Sequence, residues 1–296
     1  MDQTFFLAAN SGRGFASCYE DFPGEGVFLH IIKGGPGTGK SGFMRRIRDA
    51  AATRGFDTET VLCSGDPDSL DALCIPTLGQ AWVDGTAPHV REPVLFGVDS
   101  DYVNLGRFCR TPLPEAERQH AAYLNTAYKS CYRDAYALLH TALEAGRSGE
   151  EPCLPRPGVR LRRRYLSAIT CRGELRLTET LESLCKQNYV SSVAPPDLAA
   201  AAEQAAAQGL DVIVCPRPLD AQALEAVLIP ALSLALLAPP ETQSAAARRA
   251  REDAVGKLAE AKALHDELEA LIRPAMDFAA LDAFTEQSLA ALFASC

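Results

Sequence analysis

Residues 28–41 read Phe-Leu-His-Ile-Ile-Lys-Gly-Gly-Pro-Gly-Thr-Gly-Lys-Ser, and this stretch decides the fold. Its first part, Phe28 to Lys33, is an apolar run typical of a buried strand. The glycines that follow favour a tight turn, and a helix is predicted from about residue 40 to 54. Gly55 is predicted to end that helix as the residue after its C-cap. The sequence thus predicts a strand, a loop and a helix in immediate succession.

The glycine loop, residues 34–41, has the spacing Gly-x-x-x-x-Gly-Lys-Ser of the Walker A motif. Glycines let successive backbone N–H groups turn inward around an anion, and the helix that follows points its positive end at the same place. In this pattern the lysine contacts the β- and γ-phosphates and the serine is a ligand of Mg²⁺. We therefore predict that ATP and Mg²⁺ bind at Gly34, Gly35, Pro36, Gly37, Thr38, Gly39, Lys40 and Ser41. The alternative is a glycine-rich turn with an exposed lysine.

Two further strands are predicted, from Thr58 to Cys63 and around Ala81 to Val83. Alternation of strands with a helix implies an α/β fold, here a P-loop NTPase parallel sheet flanked by helices. Asp84 ends the last of these strands and is predicted to contact Mg²⁺ together with Ser41. The alternative role for Asp84 is a turn or helix cap before Gly85.

Acidic residues follow the strand that ends near Cys63. Asp66 and Asp68 lie at the sheet edge where open α/β sheets bind ligands, and could orient water, hold Mg²⁺ through water or accept a substrate proton. An equally supported alternative is a turn at Asp66-Pro67, with Asp68 or Ser69 capping the next helix. The predicted catalytic residues are Lys40, Asp84, Asp68 and Asp66. Other candidates, among which the sequence does not choose, are His89, Arg91, Arg107 and Arg110.

The chain repeats itself weakly on either side of a Gly- and Pro-rich segment, residues 146–158. Matches in the same order pair residues 6–9 with 165–168, 28–33 with 189–194, 51–57 with 205–211, 70–76 with 224–230, and 139–145 with 264–270. We infer a degenerate tandem duplication with a nucleotide-binding half at 1–148, a linker at 149–158 and a second half at 159–296 that lacks the phosphate loop. The second half is shorter by 7 residues across the glycine loop and by 29 residues after the match at 70–76.

Two long helical segments are also predicted. Apolar residues recur at spacings of three and four from Glu115 to Ala145 and again from about Gln243 to Leu271. We interpret both stripes as core or helix-hairpin packing faces rather than as grooves for a partner.

Composition limits the classes of function. The chain has 296 residues, and its formal charge of −9 argues against a surface built to bind nucleic acid. The basic run at 160–164 is interpreted as a solvated segment leading into a strand. The ten cysteines form no Cys-x-x-Cys pair and are expected to be reduced thiols. Since the start lacks a basic n-region and no apolar run could span a bilayer, we expect a cytoplasmic protein without a membrane partner.

The wording of the glycine loop is similar to that of AAA-type ATPases, although Asp84 is followed by Gly85 and not by a water-polarising glutamate. No Asn-Lys-x-Asp signature is present, which favours ATP over GTP. With the segments 63–71 and 84–89 and the tandem second half, nearly the whole chain resembles an uncharacterised bacterial P-loop ATPase family. In that family the second half often keeps a glycine loop. Residues 194–197, Ala-Pro-Pro-Asp, replace it here, which argues against a second nucleotide site.

Three functions are consistent with these observations. The first is a Mg²⁺-dependent ATP hydrolase that couples hydrolysis to movement of the helical segments or the second half. The second is a kinase for a small molecule or nucleotide, with Asp66 or Asp68 holding the acceptor. The third is a non-catalytic ATP-dependent switch or scaffold. The hydrolase leads because the sequence identifies no acceptor pocket, and the protein or small-molecule partner stays open.

Overall fold

The protein is described by a computed structural model that covers residues 2–146, 154–155, 158 and 160–294. Most of the predicted linker at 149–158 lies outside these residues. The strands of the first half are β1 (Gln3–Phe6), β2 (Ala8–Ser11), β3 (Gly14–Ser17), β4 (Phe28–Lys33), β5 (Glu59–Leu62), β6 (Leu70–Ile75), β7 (Gln80–Asp84) and β8 (Ser100–Asn104). The helices of the first half are α1 (Lys40–Thr53) and α2 (Glu115–Gly146).

The second half follows the same plan. Its strands are β9 (Leu161–Arg163), β10 (Ser167–Thr170), β11 (Gly173–Arg176), β12 (Tyr189–Val190), β13 (Val212–Pro216), β14 (Leu224–Ile229) and β15 (Leu234–Leu237). Its helices are α3 (Thr178–Cys185), α4 (Pro195–Ala207), α5 (Ala245–Ile272) and α6 (Phe278–Phe293).

The predicted strand, loop and helix around residues 28–54 are confirmed. Strand β4 ends at Lys33 and helix α1 begins at Lys40, so the glycine loop occupies the connection. Gly55 has φ +79°, the left-handed conformation that ends a helix and that glycine adopts without steric cost. Both predicted long helices are present as α2 and α5.

The first sheet has the strand order β1-β5-β6-β7-β4-β8 and is mixed, so the predicted parallel sheet is wrong. Strand β6 is antiparallel to both of its neighbours, β5 and β7. The helix predicted after Asp68 or Ser69 is this strand. The connection before it is a short turn, in which Ser69 N–H donates to Asp66 O at 2.8 Å, and so short a link joins antiparallel neighbours. The fold is therefore mixed α/β.

The second sheet reproduces this arrangement strand for strand. Its order is β9-β13-β14-β15-β12, which corresponds to β1-β5-β6-β7-β4. The antiparallel pairs β5–β6 and β13–β14 have the same register, with Glu59 opposite Cys74 and Ile213 opposite Leu228. Strand β8 lies in the stretch that the second half lacks. This topology agrees with a tandem duplication.

One alignment needs a correction of a single residue. Tyr189 pairs with Ala235, and the equivalent pair in the first sheet is Leu29 with Ala81. Tyr189 therefore corresponds to Leu29 rather than to Phe28. A repeat with an insertion leaves the exact position of the gap undetermined, whereas the strand register fixes it.

The two halves contact each other through equivalent residues. Phe6 N–H donates to Tyr165 O at 3.0 Å, and Tyr165 N–H donates to Phe6 O at 2.8 Å. The hairpins that follow, β2–β3 in the first half and β10–β11 in the second, are alike. Ser11 Oγ donates to Gly14 O at 2.7 Å, and Thr170 Oγ1 donates to Gly173 O at 2.8 Å. The halves are thus related by an approximate twofold axis that passes near the Phe6–Tyr165 pair.

The basic run at 160–164 is solvated at Arg160 but not at its last two arginines, which contact the first half, contrary to expectation. Arg164 is 1% exposed, and its Nε donates to Glu59 Oε1 at 2.6 Å. Arg163 pairs with Asp21 of the first half at 2.7 Å. Both arginines hold the start of the second half against the first.

The long helices pack in two groups, α1 with α6 and α2 with α5. Helix α6, from the end of the second half, packs with α1 on the first sheet through Phe284, Phe43 and Leu281. Helices α2 and α5 pack side by side through a cluster that includes Leu139 and Leu258. The C-terminal helices of the second half therefore complete the core of the first.

Two expectations from composition can be compared with the described residues. The eight cysteines among them are free thiols. In the described part of the chain, no helix combines the length and the apolarity needed to cross a bilayer.

Replacing Arg164 with Met should lower the free energy of unfolding by about 3 kcal/mol, because Glu59 would lose its close partner while staying buried. Arg162, whose Nη1 is 3.6 Å from Glu59 Oε2, stays in place and limits the loss. Arg160→Ala is the matched control, since its pair with Asp211 is exposed and should contribute less than about 1 kcal/mol. Urea denaturation measures both, and similar losses in the two variants would contradict the prediction.

Candidate functional site

The predicted site residues converge at one edge of the first sheet. Strands β4, β7 and β8 are parallel, so their carboxyl ends meet at that edge. Strand β6 runs the other way and begins there. The glycine loop, Asp84 and the turn before β6 are brought together as a result.

The glycine loop forms a tight turn between β4 and α1. Gly37 and Gly39 have φ of +73° and +87°, the left-handed region that other residues enter only with strain. The Lys40 amino group folds back and donates to Gly34 O and Gly35 O, each at 2.9 Å. Only 13% of the Lys40 side chain is exposed, so this lysine is not the freely solvated one of the alternative interpretation.

Ser41 follows Lys40 at the start of α1, and Asp84 lies near the Lys40 amino group. Ser41 Oγ accepts the N–H of Leu70 at 3.0 Å, which ties the start of α1 to the start of β6. Asp84 Oδ2 is 3.6 Å from Lys40 Nζ, and Asp84 Oδ1 accepts from Thr86 N–H at 2.9 Å. Asp84 therefore caps a turn, as the alternative interpretation held, and still directs one oxygen to the lysine.

The two loop acids have different environments. Asp66 Oδ2 accepts from Ser69 Oγ at 2.8 Å within the turn, and Lys262 Nζ is 3.6 Å away. Asp68 is largely exposed and pairs with Arg172 of the second half, which lowers the pKa of the Asp68 carboxyl. Asp66 thus stabilises the turn, while Asp68 joins the halves at the rim of the site.

A cavity of 1490 Å³ lies above the glycine loop. Its walls come from both halves and include Tyr128, Tyr132 and Tyr136 of α2, Lys262, His265 and Glu269 of α5, and Phe278 and Leu281 of α6. A Cβ atom on Gly37 would lie 2.9 Å from Glu269 O, and one on Gly39 would lie 2.8 Å from Leu281 Cδ2. The second half therefore packs directly against the loop.

The cations of the cavity are not the arginines considered from sequence. Arg107 stacks on Phe108 and Phe284, and Arg110 donates to Pro274 O at 2.8 Å. Arg91 donates to Tyr19 O and lies outside the cavity lining. The cationic side chains that line the cavity besides Lys40 are Arg45, Arg46, Lys129, Lys262 and Arg273. All five lie outside the motif segments 34–41, 63–71 and 84–89, so the sequence motifs did not indicate them.

Asp71 also lines the cavity and was not selected from the sequence. It is 6% exposed, and Tyr19 OH donates to its Oδ2 at 2.8 Å. Burial raises the pKa of Asp71, and the neighbouring Asp84 raises it further. His89, which stacks on Tyr19 with ring centroids 4.7 Å apart, lines the same part of the cavity. The Asp66-x-Asp68 pattern predicted site acids in the loop, whereas the buried acid is Asp71, on strand β6.

Neither metal-ligand geometry nor similarity to known proteins assigns a function to the site. Within the described residues, no group of three or more His, Cys, Asp or Glu side chains is arranged to hold a metal ion. Comparison of the chain with protein-family models, with curated proteins and with solved structures gave no match. The chemistry of the site rests on the contacts described above.

Replacing Gly39 with Ala should destabilise the protein by about 1–2 kcal/mol, because φ +87° is strained for alanine, and displacement of Leu281 should add to the loss. Gly42→Ala is the control. Gly42 lies in α1 with open space at its Cβ position, so alanine there should stabilise by about 0.5–1 kcal/mol. Thermal and urea denaturation measure both changes. Equal effects would mean that the loop does not hold the conformation described.

Proposed function

We propose that this chain binds ATP with Mg²⁺ at the glycine loop and hydrolyses it. The observation that carries the proposal is the position of Lys40. Its amino group is largely buried at the turn of the loop and contacts two neutral carbonyl oxygens, while the nearest carboxylate oxygen is 3.6 Å away. A largely buried cation whose ion pair with Asp84 is longer than a hydrogen bond favours the binding of an anion.

The loop residues fit a polyphosphate. Gly37 and Gly39 have left-handed backbone conformations and no side chains, so the inner face of the loop is formed by backbone. Helix α1 begins at Lys40, and its positive end points to the same place. Backbone N–H groups of Gly35 and of residues 37–40, together with the Lys40 amino group, would bind the β- and γ-phosphates. Ser41 and Asp84 would be the protein ligands of Mg²⁺, which supplies charge stabilisation at the transferred phosphoryl group.

The second half gives a physical basis for coupling. Lys262, His265 and Glu269 lie at helical spacings on α5, Arg273 follows directly after its end, and all four line the cavity. A change of charge at the loop would act on this face of α5. We infer that α5 transmits the state of the nucleotide to the second half.

A kinase is the second candidate, because the cavity is larger than most small-ligand pockets, which measure about 300–1,000 Å³. The Tyr128, Tyr132 and Tyr136 face of α2 could hold an acceptor beside the phosphates. An ATP-dependent switch is the third candidate, favoured by Gly85 at the position of the water-polarising glutamate.

Purified protein with ATP and Mg²⁺ alone should release inorganic phosphate, and a kinase would release little until an acceptor is added.

ATP at 100 times its dissociation constant should stabilise the wild type by about 2.7 kcal/mol. Lys40→Ala should abolish this stabilisation because the buried cation is lost. Lys257→Ala, at a residue of α5 that pairs with Glu260 and does not line the cavity, is the control and should keep it. Unchanged ATP binding by Lys40→Ala would refute the site.

Replacing Asp84 with Asn should reduce Mg²⁺-dependent phosphate release more than nucleotide affinity. The reason is that the amide keeps an acceptor for Thr86 N–H but loses the charge that would bind the metal. Phosphate release across a Mg²⁺ titration and thermal shift with ATP measure the two effects. An equal loss of both would assign Asp84 a structural role only.

A further inference from the structure

Asp71 is directed into the cavity by a β-bulge. In the β5–β6 pair, Val61 is opposite Ala72 and Leu62 is opposite Leu70, so Asp71 is the extra residue between them. A bulge changes the direction of a side chain relative to the regular strand alternation, and bulges are frequent beside active sites. The carboxyl group of Asp71 thus reaches the cavity although β6 is buried along its whole length.

The second half offers an internal comparison. Its β13–β14 pair has the same bulge, and Glu225 is the residue equivalent to Asp71. Glu225 pairs with Arg176, whose Nε is 3.2 Å from Glu225 Oε1, and accepts from Ser167 Oγ at 2.8 Å. In the described chain, Asp71 has hydrogen bonds with the Tyr19 hydroxyl and the Cys63 thiol, and the nearby His89 lowers its pKa. Among the described residues, no arginine or lysine forms an ion pair with Asp71. The first half therefore keeps a buried carboxyl group without the cation that the second half supplies.

The other acids at the site are engaged in ways that do not suit proton transfer. Asp66 accepts hydrogen bonds within its own turn, and Asp84 is placed beside Lys40. Asp68 is exposed and paired with Arg172, and a carboxylate with a lowered pKa is a weak base. Asp71 alone among these four is both buried and directed into the cavity.

We propose that Asp71 is the general base of the reaction and accepts the proton of the water molecule that attacks the γ-phosphorus of ATP. A bond forms between the water oxygen and phosphorus, and the bond from phosphorus to the β–γ bridging oxygen breaks. ADP leaves with the electron pair, the proton passes to Asp71 Oδ, and inorganic phosphate is the second product. This role rests on the proposed ATP hydrolysis.

Asp71→Asn tests the role, with Glu225→Gln as the matched control at the equivalent bulge. The Asn variant should bind ATP with Mg²⁺ as the wild type does and should lose phosphate release by about 100-fold or more. The wild-type rate should rise with pH through the raised pKa of Asp71, because only the ionised carboxyl accepts a proton. The residual rate of the Asn variant should lack this rise, and Glu225→Gln should keep both rate and pH profile.

Stability provides a readout that a merely structural role would not give. The folded pKa of Asp71 is above its unfolded value, so its contribution to stability falls as pH rises from the ordinary carboxyl range to the folded pKa. Asparagine does not titrate. The Asn variant should therefore melt at or above the wild-type temperature, and the difference should increase with pH over that window.

The outcomes separate the two proposals. No phosphate release by the wild type at any pH would overturn ATP hydrolysis and the role of Asp71 together. Wild-type release with an Asn variant of equal rate would overturn only the role of Asp71. An Asn variant that melts below the wild type at every pH, or that loses ATP binding along with rate, would make Asp71 structural.

Discussion

The pairing of Phe6 with Tyr165 is the constraint on which the rest of the structure depends. Two backbone hydrogen bonds join equivalent residues of the halves, so the second half is placed by the same contacts as the first. The hairpins then lie together and α2 packs beside α5. Because α5 continues toward α6, this arrangement brings the C-terminal helices over the glycine loop. The loop would otherwise face solvent, and the cavity above it would have one wall fewer.

The duplication separates what the fold requires from what the site requires. The second half keeps the strand order, the register and the bulge, all of which serve packing. It lacks a glycine loop, and α4 begins instead with Pro195, which suits the first turn of a helix but offers no N–H there. Ala238 follows β15 where Asp84 ends β7. The second half is therefore folded without the equivalents of the glycine loop and of Asp84.

The sequence predicted those parts of the fold that local patterns encode. Glycine spacing predicted the loop, apolar spacing predicted α2 and α5, and the repeated residues predicted two halves of similar plan. Neither strand β6 nor its direction was predicted, because Leu70 to Ile75 is buried on both faces and its pattern has no strand period. The burial of Arg164 depends on Glu59, a residue 105 positions away, so its pattern resembles that of any solvated basic run. The cations of α5 were missed for the same reason, since only tertiary packing brings them to the loop.

Asp71 was not identified from the sequence because local patterns do not reveal an acid of this kind. Sequence patterns favour acids in turns, where Asp66 and Asp68 stand, because such residues have strong local roles that are also visible in sequence. An acid within a buried apolar strand has no local role, and its burial opposes ionisation. In the second half Arg176 offsets part of this penalty, although burial still raises the pKa of Glu225, whereas the first half leaves Asp71 with neutral hydrogen-bond partners. The two copies of one bulge differ in the ion pair, and we attribute the absence of an arginine partner at Asp71 to the proposed reaction rather than to packing.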